Sequence, residues 1–173
     1  SIGIIADRSI SSFVSIIASL AAGIPYVPIH YKYPLKRQIS ILERAECSVL
    51  VLDETNASVM EKLLPKITKS VFILWIGSEN IDKNFKIPHW HRLVSVNATA
   101  GREPETGDTR AACLLFTSGS TGEPKGIRIK HSNIISYVNS IQKIFKPNET
   151  DRFSQIFDQT FDLSLHDMFV AWS

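Results

Sequence analysis

Cysteine is scarce in this sequence: Cys47 and Cys113 are the only two in 173 residues. Each lies inside an apolar run, which reads as a buried free thiol in a reducing compartment rather than half of a disulfide or metal pair. Excess charge of one sign is also missing. The formal net charge is +2, and no Lys/Arg cluster lines up on one face, so the composition excludes a nucleic-acid-binding surface. Long hydrophobic runs are absent too. The longest apolar stretch, 13–29, is interrupted by Ser15, Ser19, Gly23, Pro25 and Pro28. A buried helix followed by a strand explains it better than a membrane span. The first residues carry no basic n-region or small-residue cleavage site. His30, His89, His91 and His131 show no metal-ligand spacing with a Cys or an acid and read as structural. There are no internal repeats and no low-complexity tracts. The expectation is a cytoplasmic protein with neither nucleic acid nor membrane as partner.

What is present is an ordinary apolar content, 44%, arranged as short continuous apolar runs that alternate with helical patterns. Residues 2–6, 26–29, 48–52 and 70–76 read as strands. Between them, Ser9 or Ser11 caps a helix that Gly23 stops, Pro34 starts a second, and residues 57–67 form a third. The second helix places Leu35, Ile39, Leu42 and Ala45 on its buried face. Such alternation is what a parallel sheet covered on both faces requires, so the fold class is α/β, a mostly parallel sheet layered with helices. From 77 to 110 the pattern lapses into polar residues, Gly and Pro. This stretch reads either as a linker between two lobes, with a break near 78–110, or as a long surface excursion. Residues 111–116 and 127–130 are expected to be strands, and 152–157 strand-like. Ser132 is expected to cap a helix to Phe145, with Ile134, Ile135, Val138, Ile141 and Ile144 buried. A last helix begins at Ser164, whose spacing to Asp167 matches a capping box.

One loop stands out. Thr117-Ser118-Gly119-Ser120-Thr121-Gly122 joins two strands and consists of hydroxyls and glycines. Gly119 and Gly122 allow left-handed backbone and close approach of a ligand. The N–H groups and hydroxyls make a concave donor surface suited to phosphate oxygens, and Lys125 adds a positive charge. The spacing is not Gly-x-x-x-x-Gly-Lys-Ser/Thr, which excludes a Walker-type nucleotide hydrolase, and it is not Gly-x-Gly-x-x-Gly. A generic loop of this composition is simply a flexible polar hairpin.

This string is more specific than that. Leu115-Phe-Thr-Ser-Gly-Ser-Thr-Gly-Glu-Pro-Lys-Gly126 resembles the phosphate-loop signature of adenylate-forming enzymes: acyl-CoA synthetases, luciferases and the adenylation domains of nonribosomal peptide synthetases. Leu20-Ala-Ala-Gly-Ile-Pro-Tyr-Val-Pro-Ile29 is similar to the family's Leu-Lys-Ala-Gly-Gly-Ala-Tyr-Val-Pro-Ile/Leu core, with Ile24-Pro25 replacing Gly-Ala and His30 replacing the usual Asp. Phe161-Asp162-Leu-Ser164 resembles the Phe-Asp-x-Ser motif of the branch that activates amino acids.

The resemblance implies that Thr117, Ser118, Gly119, Ser120, Thr121, Gly122 and Lys125 contact the phosphates of ATP, and that Thr117 or Thr121 helps hold Mg²⁺. It implies that Asp162 pairs with the α-ammonium of an amino-acid substrate; the alternative is that Asp162 merely caps the helix after it. Leu163 and His166 fall where the family's substrate pocket begins, although a histidine on a helix is as readily a packing residue. The family's Tyr-Gly-x-Thr-Glu segment, ribose-binding Asp and C-terminal-lobe Lys are not in the chain. With the apolar, uncapped ends at Ser1 and Ser173, this implies residues 1–173 as part of the N-terminal, AMP-binding lobe of an adenylation domain, inactive alone.

The implied reaction of the full-length protein is amino-acid activation with ATP and Mg²⁺ to an aminoacyl-AMP plus pyrophosphate. The acyl group then passes to the phosphopantetheine of a partner carrier protein or domain. The implied partners are the amino acid, the carrier and the remainder of the adenylation domain. Two alternatives stay open. One is an enzyme like the D-alanine–carrier-protein ligases, which an acid three residues after Ser164 (Asp167) also suits. The other is a non-catalytic split or partner-binding fragment.

Overall fold

The computed structural model describes residues 1–77, 90–92, 110–118 and 123–173, with backbone alone for 90–92 and 118. Five runs of extended backbone from the sequence's apolar segments, plus one hairpin strand and one three-residue strand, make a seven-stranded sheet. The strands are β1 (Ile2–Ala6), β2 (Tyr26–His30), β3 (Val49–Asp53), β4 (Phe72–Ile76), β5 (Trp90–Arg92), β6 (Ala111–Ser118) and β7 (Pro124–Lys130). Their spatial order is β5-β4-β3-β1-β2-β6-β7. All neighbours run parallel except β6 and β7, an antiparallel hairpin in which Thr117 faces Lys125 and Ser118 faces Pro124.

Successive side chains of a strand point to opposite faces, and here both faces are covered. Ile4, Val51, Tyr26, Cys113 and Leu115 form one core with Ile16 of helix α1 (Ile10–Ala21) and with Leu165 and Met168 of helix α5 (Leu163–Ala171). Ile5, Val27, Ile29, Leu50, Leu52 and Ile73 form the other, against Ile41 and Leu42 of α2 (Leu35–Arg44) and Met60 and Leu63 of α3 (Ala57–Leu63). The chain leaves β1 toward β2 but returns from β2 across β1 to β3, so right-handed crossovers put α1 and α2 on opposite faces. Each fully buried Leu or Ile side chain contributes roughly 1.5–3 kcal/mol of transfer free energy before entropy is subtracted.

Local signals explain the element ends. Ser9 Oγ accepts the Ser12 N–H at 3.1 Å and so caps α1, and Gly23 leaves the helix at φ +67°. Several expectations are corrected. The third helix ends at Leu63 and tightens into a 3₁₀ turn, Leu64–Lys66, because Pro65 has no N–H to continue the ladder. Residues 152–157 pair with no strand among the described residues; they run as irregular backbone over the surface. Helix α4 (His131–Phe145) is capped by Asn133, whose Oδ1 accepts the Lys130 N–H at 3.0 Å, rather than by Ser132. Of its five expected buried residues only Val138 is fully covered, while Ile135 and Ile144 are exposed. On α2 the buried set includes Gln38 and Ile41 as well as Leu42. Within the polar stretch after Gly77, Trp90–Arg92 joins the sheet beside β4. The rest of that stretch, with the possible break near 78–110, lies outside the described residues.

Candidate functional site

Parallel sheets bind ligands in crevices beyond the carboxyl ends of their strands. Here the ends of β2 and β6 open into a cavity of about 680 Å³ lined by His30, Lys32, Tyr33, Arg37, Thr117, Asp158, Phe161 and Asp162, among others. Thr117 reaches it because β6 runs on past the buried Leu115 and Phe116, and its side chain is exposed there. Asp162 reaches it from the N-terminus of α5. Thr117 of one motif and Asp162 of the other therefore line the same cleft.

The segment before α5 is a run of interlocked turns. Asp158 Oδ1 accepts from the Thr160 N–H (2.9 Å) and hydroxyl (2.7 Å), and the Phe161 N–H donates to the Asp158 carbonyl at 2.9 Å. Ser164 is not a cap: its hydroxyl donates to the Phe161 carbonyl at 2.6 Å. The cap is Asp162, whose Oδ1 accepts the Leu163 N–H at 2.9 Å. Its other oxygen has no hydrogen-bond partner among the described residues, and the side chain is exposed. Asp162 thus caps the helix with one oxygen while its exposed side chain lines the cleft. Asp167, the other half of the expected capping box, accepts instead from the N–H groups of Ile156 and Phe157.

Asp162 also borders a second, smaller cavity of about 250 Å³, with Leu163, His166, Ile129, Asn133, Ile134 and Tyr137. The three substrate candidates Asp162, Leu163 and His166 are brought together there. His166 is oriented by Tyr137, whose hydroxyl lies 3.0 Å from Nδ1. Tyr137 carried no signal in the sequence beyond its place on α4. Lys125 is exposed and borders a third cavity, with Arg44, Glu123 and Arg128, and not the one that holds Thr117. The side chain of Ser118 and all of Gly119, Ser120, Thr121 and Gly122 lie outside the described residues. Of the two Mg²⁺ candidates, Thr117 is therefore the one placed. Among the described residues no group of three or more His, Cys, Asp or Glu is arranged to hold a metal ion.

Leu115, Phe116, Ile127 and Ile129 make part of the cleft lining apolar, and the strands behind them are deeply buried. Burial pushes the Cys113 thiol up to about 12. Burial likewise raises the Tyr26 hydroxyl well above its ordinary value. Burial, followed by the nearby Arg110, lowers His131.

All 173 residues match one family of proteins, the AMP-binding enzymes. The chain belongs to the AMP-binding enzyme family. Among its relatives are tyrocidine synthase 1 of Brevibacillus parabrevis, 29% identical over 98% of this chain and 14% of that protein, and syringomycin synthase SyrB1 of Pseudomonas syringae pv. syringae, 30% identical over 98% of this chain and 25% of that protein. Several solved structures superpose closely. The Vibrio cholerae adenylation domain AlmE in complex with glycyl-adenosine-5'-phosphate gives a TM-score of 0.85 at 27% identity over 98% of this chain and 34% of that one. IdnL7 gives 0.83 at 29% identity over 99% and 33%. A luciferase-like enzyme from Zophobas morio, at 18% identity and a TM-score of 0.74, shares the fold. This chain thus spans about a third of those first two solved chains and a quarter or less of the two synthases.

The cleft residues fit a nucleotide's phosphates: an exposed Thr117 hydroxyl at the end of a parallel strand, with Lys32 and Arg37 on the same lining. No helix among the described residues is long and apolar enough to cross a membrane.

Proposed function

We propose that this chain supplies the phosphate- and amine-recognising portions of an amino-acid adenylating enzyme. The full-length protein joins an amino-acid carboxylate to the α-phosphate of ATP, releasing pyrophosphate. It then passes the aminoacyl group to the phosphopantetheine thiol of a carrier protein or domain, in the manner of nonribosomal peptide synthesis. The observation that carries this reading is the placement of Asp162: one carboxylate oxygen held by the helix it caps, the other open, on a cleft shared with Thr117.

The chemistry needs little acid or base from the protein. Bringing two bound reactants into line supplies most of the advantage, and fixed donors and cations stabilise charge on the phosphates. Thr117, Ser118, Gly119, Ser120, Thr121, Gly122 and Lys125 would hold the phosphates, with Thr117 or Thr121 assisting Mg²⁺. Asp162 would bind the α-ammonium through a charge-assisted hydrogen bond, worth roughly 1.5–3 kcal/mol. The α-carbon then sits at the mouth of the smaller cavity, and Leu163 and the Tyr137–His166 pair face the substrate side chain. That glycyl-adenosine-5'-phosphate occupies the related AlmE domain supports an aminoacyl-adenylate product.

Amino-acid-dependent exchange of pyrophosphate into ATP, scanned over amino acids with the full-length protein, tests this. Exchange with one or a few α-amino acids supports it; exchange with none contradicts it. Exchange restricted to D-alanine would assign the protein to the carrier-protein ligases instead.

A further inference from the structure

His30 lies at the carboxyl end of β2, at the position where the related motif carries Asp, and its ring is held at both nitrogens and against two tyrosines. Its Nε2 is 2.7 Å from Asp158 Oδ2. Its Nδ1 accepts the backbone N–H of Lys32 at 3.0 Å. The imidazole stacks on Tyr31 (centroids 4.9 Å apart) and leans on Tyr33 (5.4 Å). An Nδ1 that accepts carries no proton, so Nε2 is the protonated nitrogen and donates to Asp158. With both nitrogens engaged, the ring has none free for proton transfer to a ligand.

The turn that carries His30 is itself held. Gln38, buried on α2, places Nε2 within 3.0 Å of the Tyr31 carbonyl and 3.1 Å of the Tyr33 carbonyl. From this rigid turn a second contact reaches the same segment: Tyr33 Oη is 3.1 Å from Thr160 Oγ1. Asp158 and Thr160 are joined by two hydrogen bonds, and the Phe161 N–H donates a third to the Asp158 carbonyl, so the grip on Asp158 reaches Asp162 through the two residues before it.

We propose that His30 and Asp158 form a latch that positions Asp162 for the substrate amine, with His30 a positioning residue acting through Asp158. The purpose of the latch rests on the amino-acid adenylating reading. The tautomer makes it specific. In Asp158→Asn the side-chain amide must present its oxygen to the Thr160 donors and its NH₂ to His30, which also donates. The ring can accept only by moving its proton to Nδ1, where it would face the Lys32 N–H. Asp158→Asn therefore breaks the latch despite near-identical size. His30→Gln carries both a donor and an acceptor and can turn either one toward residue 158.

The test measures apparent KM for the amino acid and for ATP in pyrophosphate exchange, using full-length protein bearing D158N, H30L, H30Q and H30Q/D158N. D158N and H30L should raise the amino-acid KM about tenfold, the range of a coupled contact pair, with the ATP KM within about twofold and kcat less affected. H30Q/D158N should recover most of the loss seen in D158N. Nitrogen-15 spectra of the histidine-labelled protein, with His30 assigned through H30Q, should show Nδ1 unprotonated and Nε2 protonated. Either the opposite tautomer or a D158N enzyme with an unchanged amino-acid KM would overturn the latch. Parallel losses in both KM values and in thermal stability, without recovery in the double variant, would overturn it as well. Failure of the unsubstituted protein to exchange with any amino acid would bring down the adenylating reading, and the proposed purpose of the latch with it. The nitrogen spectra would then still decide the geometry.

Discussion

Asp167 accepts the backbone N–H of Ile156 at 2.9 Å. The same Oδ2 accepts the Phe157 N–H at 3.1 Å, and the carboxylate is buried. An acid on α5 thus anchors an irregular surface segment, and α5 in turn presents Asp162 and His166.

Removing that carboxylate leaves two N–H groups without an acceptor. Asp167→Ala should lower unfolding stability by about 2–3 kcal/mol, the cost of losing hydrogen bonds to a charged, buried acceptor. Denaturant unfolding of the variant measures it; a loss below about 0.5 kcal/mol would contradict the anchoring role.

Gly23 ends α1 in the left-handed region, at φ +67°. A Cβ there would also lie 2.7 Å from Arg110 Nη1, although a guanidinium can move aside. Gly23→Ala should cost about 1–2 kcal/mol through backbone strain. Gly23→Asn should cost less, because Asn tolerates this region. Equal stability of G23A and the unsubstituted protein would refute the strain.

The alkaline limb of stability should carry the mark of Cys113. Its folded value is raised by burial from 9.0 to about 12. The unfolded chain therefore releases this proton first, and the contribution is fully present below about pH 9 and lost as pH rises toward 12. Tyr26, also raised by burial, acts in the same sense. Stability followed against pH should fall less steeply in that window for Cys113→Ala than for the unsubstituted protein. The same burial should keep Cys113 and Cys47 unreactive toward thiol reagents until the protein unfolds.

Much of the fold was legible because parallel strands covered on both faces must be continuously apolar. Residues such as Leu50, Val51 and Leu52 can do little else, and the Ser9 cap and the stop at Gly23 follow from local chemistry. The misreadings share a cause: they needed long-range partners. The N–H groups of 156 and 157 looked strand-like, but their acceptor is on α5. Ser164 and Asp167 have capping-box spacing, yet each is drawn to a different backbone group. His30 had no local meaning until the chain returned with Asp158. Tyr137, likewise, acquires a role only through His166.

Helix α4 shows the limit of periodicity alone. Its apolar positions repeat correctly, but Ile144 and Phe145 are 70% and 71% exposed. Together with exposed Ile135, Ile156 and Trp172, they leave apolar surface that water covers poorly. A polypeptide of these 173 residues should associate as its concentration rises. Light scattering that shows a monomer across the accessible range would contradict this.

The central claim is that Asp162 reads the amine of an amino acid. It is tested most directly by comparing the best α-amino-acid substrate with its des-amino carboxylic acid in pyrophosphate exchange, using the unsubstituted protein and Asp162→Ala. The account predicts that the unsubstituted protein favours the amino acid by about tenfold to a hundredfold, the worth of one charge-assisted hydrogen bond, and that D162A loses this preference while remaining folded. An unchanged preference in folded D162A would contradict it.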